Sequence, residues 1–89
     1  MAVYLVTYDL KQPGRDYQPV YHYLKKFIYC RGLESAWLVE STLAAATIGD
    51  TLKTLVDPND VVLVVRIYPS WSTSDYSCTT WLDDPQRSW

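Results

Sequence analysis

A single carboxylate, Asp9, lies at the end of the apolar N-terminal stretch MAVYLVTYDL, one residue before a loop over residues 11–15. A carboxylate at this position supports two kinds of chemistry. It can accept backbone N–H groups of the loop, which is the ordinary role of Asp in a turn. It can instead form one half of a metal site, because carboxylate oxygens are the ligands that Mg²⁺ and Mn²⁺ prefer. The residue type by itself favours the turn role.

Basic side chains form a second group with possible chemistry. They alternate with tyrosines through the first third of the chain, and basic plus aromatic side chains can bind single-stranded nucleic acid by charge and stacking. The same pattern also describes a solvated helix face. The net charge of −2 and the pI of about 5.1 argue against tight, non-specific binding of nucleic acid. The candidate nucleic-acid-binding residues are Lys11, Arg15, Lys25, Lys26 and Arg31.

The remaining reactive residue types point to no further site. His22 is the only histidine and has no evident partner, so a packing or surface role is expected rather than general-base catalysis. Asp16 is best explained as a helix N-cap. Cys30 and Cys78 lack the spacing of a zinc site. No secretory or membrane-spanning segment is evident, so we expect a cytoplasmic protein with two reduced thiols and no membrane contact.

The elements that position these residues follow from hydrophobic periodicity. Residues 3–9 are apolar on both faces, which predicts a central strand. A helical stripe follows Asp16 and is expected to stop at Gly32. Residues 33–41 read as one strand or as a hairpin. A second helix starts after Ser41 or Thr42, and residues 61–68 form a well-buried last strand.

This order of elements predicts an α+β fold. The best match is a ferredoxin-like β-α-β-β-α-β sandwich, in which one sheet carries two helices on one face. The core covers residues 1–69. Residues 70–89 form an extension with an extra C-terminal β segment at 76–82, and its large rings are expected to dock at a dimer interface. The interface candidates are Trp71, Tyr76 and Trp81.

Several of these stretches resemble one known family. MAVYLVTYDL, SAWLVES and LKTLVDPNDVVLVVRI are similar to the small CRISPR-associated proteins that partner the spacer integrase, and closest to their SinR-like or VapD-like branch. The resemblance covers residues 1–68. It implies a ferredoxin-like homodimer in which the acid ending the first strand, here Asp9, meets its copy and holds a divalent metal for phosphodiester cleavage. Other members act without catalysis, as scaffolds for nucleic acid or protein.

Two functions follow as expectations. The first is a non-catalytic homodimeric interaction module that binds protein or nucleic acid. The alternative is a metal-dependent endonuclease that cleaves RNA or DNA with paired Asp9 carboxylates and Mg²⁺ or Mn²⁺. Two features favour the non-catalytic module. The composition is acidic, and the sequence after Asp9 contains Pro, Gly and many tyrosines instead of a basic stretch.

Overall fold

One four-stranded antiparallel sheet organises the molecule. The computed structural model describes residues 1–87 and Trp89. The strand order is β2-β3-β1-β4, and every neighbouring pair is antiparallel. The α+β class and the central place of the first strand are thereby confirmed. The elements are β1 (Ala2–Asp9), α1 (Gln18–Leu24), β2 (Ile28–Leu33), β3 (Ala36–Ser41), α2 (Ala45–Lys53), β4 (Val61–Ile67) and α3 (Thr79–Leu82).

The front face of the sheet, defined here as the face of Tyr4 and Val6, carries the main core. Both α1 and α2 pack on this face, because each helix places two apolar side chains one turn apart toward the sheet. These side chains are fully buried together with Trp37 of β3. The helical residues are Val20 and Leu24 of α1, and Ile48 and Leu52 of α2.

The back face is covered by the C-terminal tail, residues 70–89. Cys78 and Leu82 are buried against Leu38 of β3, and Cys78 forms a disulfide with Cys30 of β2. The prediction of two reduced thiols is therefore wrong. Its basis was the lack of an evident secretory segment, which carries no information about a pairing made across a sheet.

The predicted β segment at 76–82 is also wrong. Residues 76–78 form a turn, and Thr79–Leu82 form α3. The tail crosses the face of the sheet and does not run along its edge, so its backbone has no strand to pair with. Its N–H groups are satisfied internally instead, by bonds from Leu82 to Cys78 and from Asp83 to Thr79.

The second strand begins inside the predicted first helix. α1 ends at Leu24, where short-range bonds from Lys26 and Phe27 to the preceding turn close it. Residues 28–33 then pair with β3 as a hairpin, so the 33–41 region holds the end of β2, the turn at residues 34–35 and β3 as a single strand. Gly32 lies within β2 and does not end a helix. A Cβ at Gly32 would collide with the Tyr76 ring, so the glycine lets the tail approach the sheet.

A buried ion pair fixes the end of the tail. The Arg87 guanidinium lies 3.1 Å from Oε1 of Glu40 on β3, and both side chains are less than a tenth exposed. The same guanidinium stacks 3.3 Å from the centroid of the Trp81 ring, and its Nε donates to the Trp81 carbonyl at 2.8 Å. Among the described residues, no helix has the length and apolarity needed to cross a bilayer.

Candidate functional site

Asp9 lies at the end of β1, opposite Val61 of β4, with an exposed side chain. Within residues 1–87 and 89, its carboxylate has no hydrogen-bond or ion-pair partner. The backbone N–H of Lys11, which the turn interpretation assigned to Asp9, donates instead to Oδ1 of Asp60 at 2.7 Å. The turn role expected for Asp9 is therefore wrong, and its carboxylate is open to a ligand.

Asp60 is the residue that holds the loop after β1. Its second oxygen accepts the Tyr17 hydroxyl at 2.6 Å and the Asp57 N–H at 2.9 Å. Tyr17 in turn accepts the Gln12 N–H at 3.3 Å. One carboxylate thus joins the β1–α1 loop, the start of α1 and the turn before β4. The sequence contained a signal for it in the turn DPND, but nothing that showed which loop it reaches.

The pKa of Asp60 is lowered from its ordinary value of 3.8. Burial acts in the opposite direction, but the bonds from Lys11, Tyr17 and Asp57 and the charge of Arg15 together outweigh it. A lowered pKa in the folded state means that this carboxylate contributes stability above pH 4, and that the contribution disappears as the pH falls through the lowered value.

We therefore expect Asp60→Asn to be less stable than wild type at pH 7, and the difference to shrink as the pH falls below 4, in urea unfolding at a series of pH values. The difference shrinks because a protonated Asp resembles Asn in shape and charge. Asp50→Asn is the matched control, since Asp50 lies exposed on α2 in an exposed ion pair with Lys53. A difference that stays constant across the pH range would contradict this role of Asp60.

A cleft of about 570 Å³ opens beside Asp9. Its lining includes Asp9, Glu34 and three tyrosines, Tyr8, Tyr17 and Tyr21. Tyr8 is held firmly, because its hydroxyl accepts the Trp37 indole N–H at 3.0 Å and donates to the Glu34 carbonyl at 2.8 Å. Burial raises the pKa of Tyr8, so the phenol stays neutral although Trp37 and Arg31 act against the shift. The cleft therefore has aromatic walls, and the guanidinium of Arg15 lies 6.0 Å from the centroid of the Tyr17 ring.

Arg31 lies against the same aromatic group from β2. Its guanidinium is 4.9 Å from the centroid of Tyr21 and 4.8 Å from that of Trp37. Its Nε and a terminal nitrogen donate to the carbonyl of Glu34. Arg31 thus packs against the fold, and its predicted role in nucleic-acid binding stays a prediction.

The other predicted basic residues fall into two pairs. Lys11 and Arg15 lie in the loop before α1, and Lys25 and Lys26 follow the end of α1. The helix rises about 10 Å between them, so the pairs lie at opposite ends of it. Arg15 also lies 4.0 Å from Asp57. A role of these four in nucleic-acid binding stays a prediction.

The two remaining polar candidates have local roles. Asp16 lies one residue before the N-cap position and its Oδ1 accepts the N–H of Gln18 at 2.9 Å, so it stabilises the helix start from the neighbouring position. His22 is exposed on α1. In the described part of the chain, no three His, Cys, Asp or Glu side chains come together as a metal site.

The predicted interface residues of the tail contact their own chain. Tyr76 and Trp81 pack against the back-face cluster. Trp71 packs at a tilt against Trp89 with ring centroids 5.0 Å apart, and its indole N–H donates to Asp83 at 3.2 Å. Contact of these rings with a second protomer stays a prediction.

β4 presents the surface that sequence reasoning missed. It is an edge strand, paired with β1 on one side only. Three of its apolar side chains face the back and are exposed: Val61 and Leu63 at 50% each, and Val65 at 40%. We call these three residues the β4 stripe. The prediction of a well-buried strand is wrong here because the tail reaches only Ile67 of β4. The stretch VVLVVRI is apolar on both faces, and a central strand covered on both faces has the same pattern. The sequence therefore does not distinguish this exposed edge strand from a buried one.

In comparisons with known proteins, no family model matches the chain and no solved structure matches it significantly. The resemblance of residues 1–68 to the CRISPR-associated family therefore stays a hypothesis.

Proposed function

We propose that this chain is a non-catalytic, homodimeric interaction module with a ferredoxin-like core, related to the CRISPR-associated partners of the spacer integrase. The observation that carries the dimer is the β4 stripe on an unpaired strand edge. The strand order β2-β3-β1-β4, with two helices on one face, supports the ferredoxin-like assignment. An exposed, β-branched edge strand pairs readily with another strand unless something blocks it.

The second copy is proposed as the occupant because the strand is complementary to itself. Two copies of β4 can pair antiparallel about a two-fold axis that is perpendicular to the sheet. Residues that lie opposite each other in such a pair face the same side of the sheet. Because side chains alternate along the strand, the numbers of two paired residues must then differ by an even amount. Centring the axis on Leu63 places Leu63 against its copy and Val61 against Val65. The two stripes then form one continuous apolar surface across the dimer.

Charge complementarity selects this register. With the axis at Leu63, Arg66 lies opposite Asp60 of the second copy, on the front face. Shifting the axis by one residue toward the N-terminus places Arg66 opposite Pro58, which has no N–H to donate. Shifting it the other way places Arg66 opposite Val62. Opposite charges directly across a strand pair are favourable, at roughly 0.2–1 kcal/mol.

Leu63→Lys should convert the dimer to a monomer. The substitution removes a half-exposed apolar side chain from each copy and places two ammonium groups opposite each other, so we expect dimerisation to weaken roughly a hundredfold, or about 3 kcal/mol. Sedimentation equilibrium at micromolar concentration measures this. Leu43→Lys is the matched control, because Leu43 is also exposed but lies before α2. A monomeric wild type, or a Leu63→Lys variant that dimerises normally, would disprove the β4 dimer.

The metal-dependent endonuclease is the second candidate, and the free carboxylate of Asp9 is the observation that favours it. In the β4 dimer, the two Asp9 residues lie three strand spacings apart across the sheet and four residues apart along the strand direction. Together these offsets place them about 20 Å apart. A shared Mg²⁺ or Mn²⁺ would therefore need a different dimer. Metal-dependent cleavage of RNA or DNA that is lost in Asp9→Ala would establish this function in place of the non-catalytic one.

A further inference from the structure

We propose that the C-terminal tail is a redox-controlled cover. Reduction of the Cys30–Cys78 disulfide releases it from the back face of the sheet, while residues 1–69 stay folded. The released state exposes an apolar face that is continuous with the β4 stripe. This inference does not depend on the proposed dimer, because the tail and the sheet that it covers belong to one chain.

Two separate hydrophobic clusters allow such a local opening. Within the described part of the chain, the main core on the front face contains no residue of the tail. The back-face cluster is the one that needs the tail, which supplies Cys78 and Leu82 to it. Loss of the tail therefore removes the second cluster and leaves the first in place, so the sheet keeps its contacts with α1 and α2.

Apart from the disulfide, the tail is held weakly. Among its described residues, Cys78 and Leu82 alone are buried, and they add no strand to the sheet. The buried pair of Glu40 and Arg87 contributes little net attraction, because the cost of removing both charges from water offsets it. Ordering the tail also costs conformational entropy at every residue. The disulfide reduces that cost by holding position 78 beside β2, so its loss favours the released tail.

The face beneath the tail contains a row of side chains in register. Cys30 of β2 pairs with Leu38 of β3. Leu38 pairs with Leu5 of β1, which pairs with Val65 of β4. Because directly paired residues point to the same side of a sheet, all four lie in one line across the back face. The tail packs on the first three, and Val65 belongs to the exposed β4 stripe. Release of the tail therefore extends the stripe across all four strands.

The opening step is a thiol–disulfide exchange with a dithiol reductant. Cys78 is fully buried and Cys30 is partly exposed, so a thiolate of the reductant attacks Sγ of Cys30. Cys78 leaves as a thiolate and takes up a proton. The second thiol of the reductant then resolves the mixed disulfide and releases Cys30 as a thiol. The protein gains two electrons and two protons, and the reductant becomes a disulfide.

Amide hydrogen exchange of the full chain, followed by NMR with and without dithiothreitol, tests this cover. We expect reduction to speed exchange at Leu82 and Asp83 roughly tenfold or more, because their bonds to Cys78 and Thr79 open with the tail. Exchange in α2 should change by less than about twofold, since its contacts are all on the front face. The dye 8-anilinonaphthalene-1-sulfonate should fluoresce more strongly with the reduced protein, because the apolar back face is then exposed.

The variant Cys30→Ala/Cys78→Ala is the reference for the released state. It should show the rapid tail exchange of the reduced wild type both with and without dithiothreitol. Equal tail exchange in the oxidised and the reduced wild type would overturn the proposal. Exchange that becomes fast in α2 as well would also overturn it, because reduction would then unfold the chain as a whole.

The outcome is separable from that of the dimer. The Leu63→Lys variant should open on reduction as the wild type does, because the tail reaches only Ile67 of β4. A dimer whose tail exchange does not change with dithiothreitol would reject the cover alone. A monomeric wild type that opens on reduction would reject the dimer alone.

Discussion

Glu40→Ala should release the C-terminal tail from the back of the sheet and lower the free energy of unfolding by about 3–5 kcal/mol. The reason is the buried ion pair with Arg87, whose side chains are 6% and 7% exposed. Removing one partner leaves a buried charge without compensation, and the cheapest response is for the end of the tail to move into water. Urea unfolding measures the loss, and tryptophan fluorescence reports the exposure of the tail rings.

The double variant Glu40→Met/Arg87→Met separates charge from packing. Apolar side chains of similar length fill the same space without a buried charge, and replacing buried ion pairs in this way is often neutral. We therefore expect the double variant to recover most of the stability lost in Glu40→Ala. Equal instability of the single and double variants would show that the site depends on the charge pair itself. A Glu40→Ala protein as stable as wild type would contradict the docked tail.

Loss of the Cys30–Cys78 disulfide should lower stability by about 4 kcal/mol in the chain-entropy description of cross-links. The bond joins residues 48 apart in sequence, so it removes many conformations from the unfolded chain. It also connects the tail to β2, next to the contact between Tyr76 and Gly32. The measurement is urea unfolding with and without dithiothreitol.

The variant Cys30→Ala/Cys78→Ala is the control for this measurement. It should be about as stable as the reduced wild type and should not respond to dithiothreitol. Mass spectrometry after alkylation without reductant counts the free thiols directly, and none are expected in the oxidised protein. The disulfide would be contradicted if both cysteines were alkylated without reductant and the stability of the wild type did not change with dithiothreitol. Because glutathione keeps most cytoplasmic thiols reduced, alkylation of protein taken directly from cells also tests the predicted cytoplasmic location.

The cores of several elements could be predicted from the sequence because their signals are local. The stripe of Ile48 and Leu52 marks α2, and the apolar run from Val3 marks β1. The boundaries of α1 and β2 could not, because Ile28 continues the helical spacing yet begins a strand. The strand forms in place of a longer helix because five residues of β2 pair with β3, and this pairing places Cys30 beside Cys78.

The sequence by itself determined that Asp9 follows a central strand of a small α+β domain, since apolar alternation and chain order suffice for both. Only the tertiary structure decided that Asp9 does not hold the loop after β1. Asp60, 49 residues beyond Lys11, takes the loop N–H that a local interpretation assigned to Asp9. The exposed edge of β4 and the path of the tail were decided in the same way. Each depends on which segments become neighbours in space, and a pattern along one segment does not contain that information.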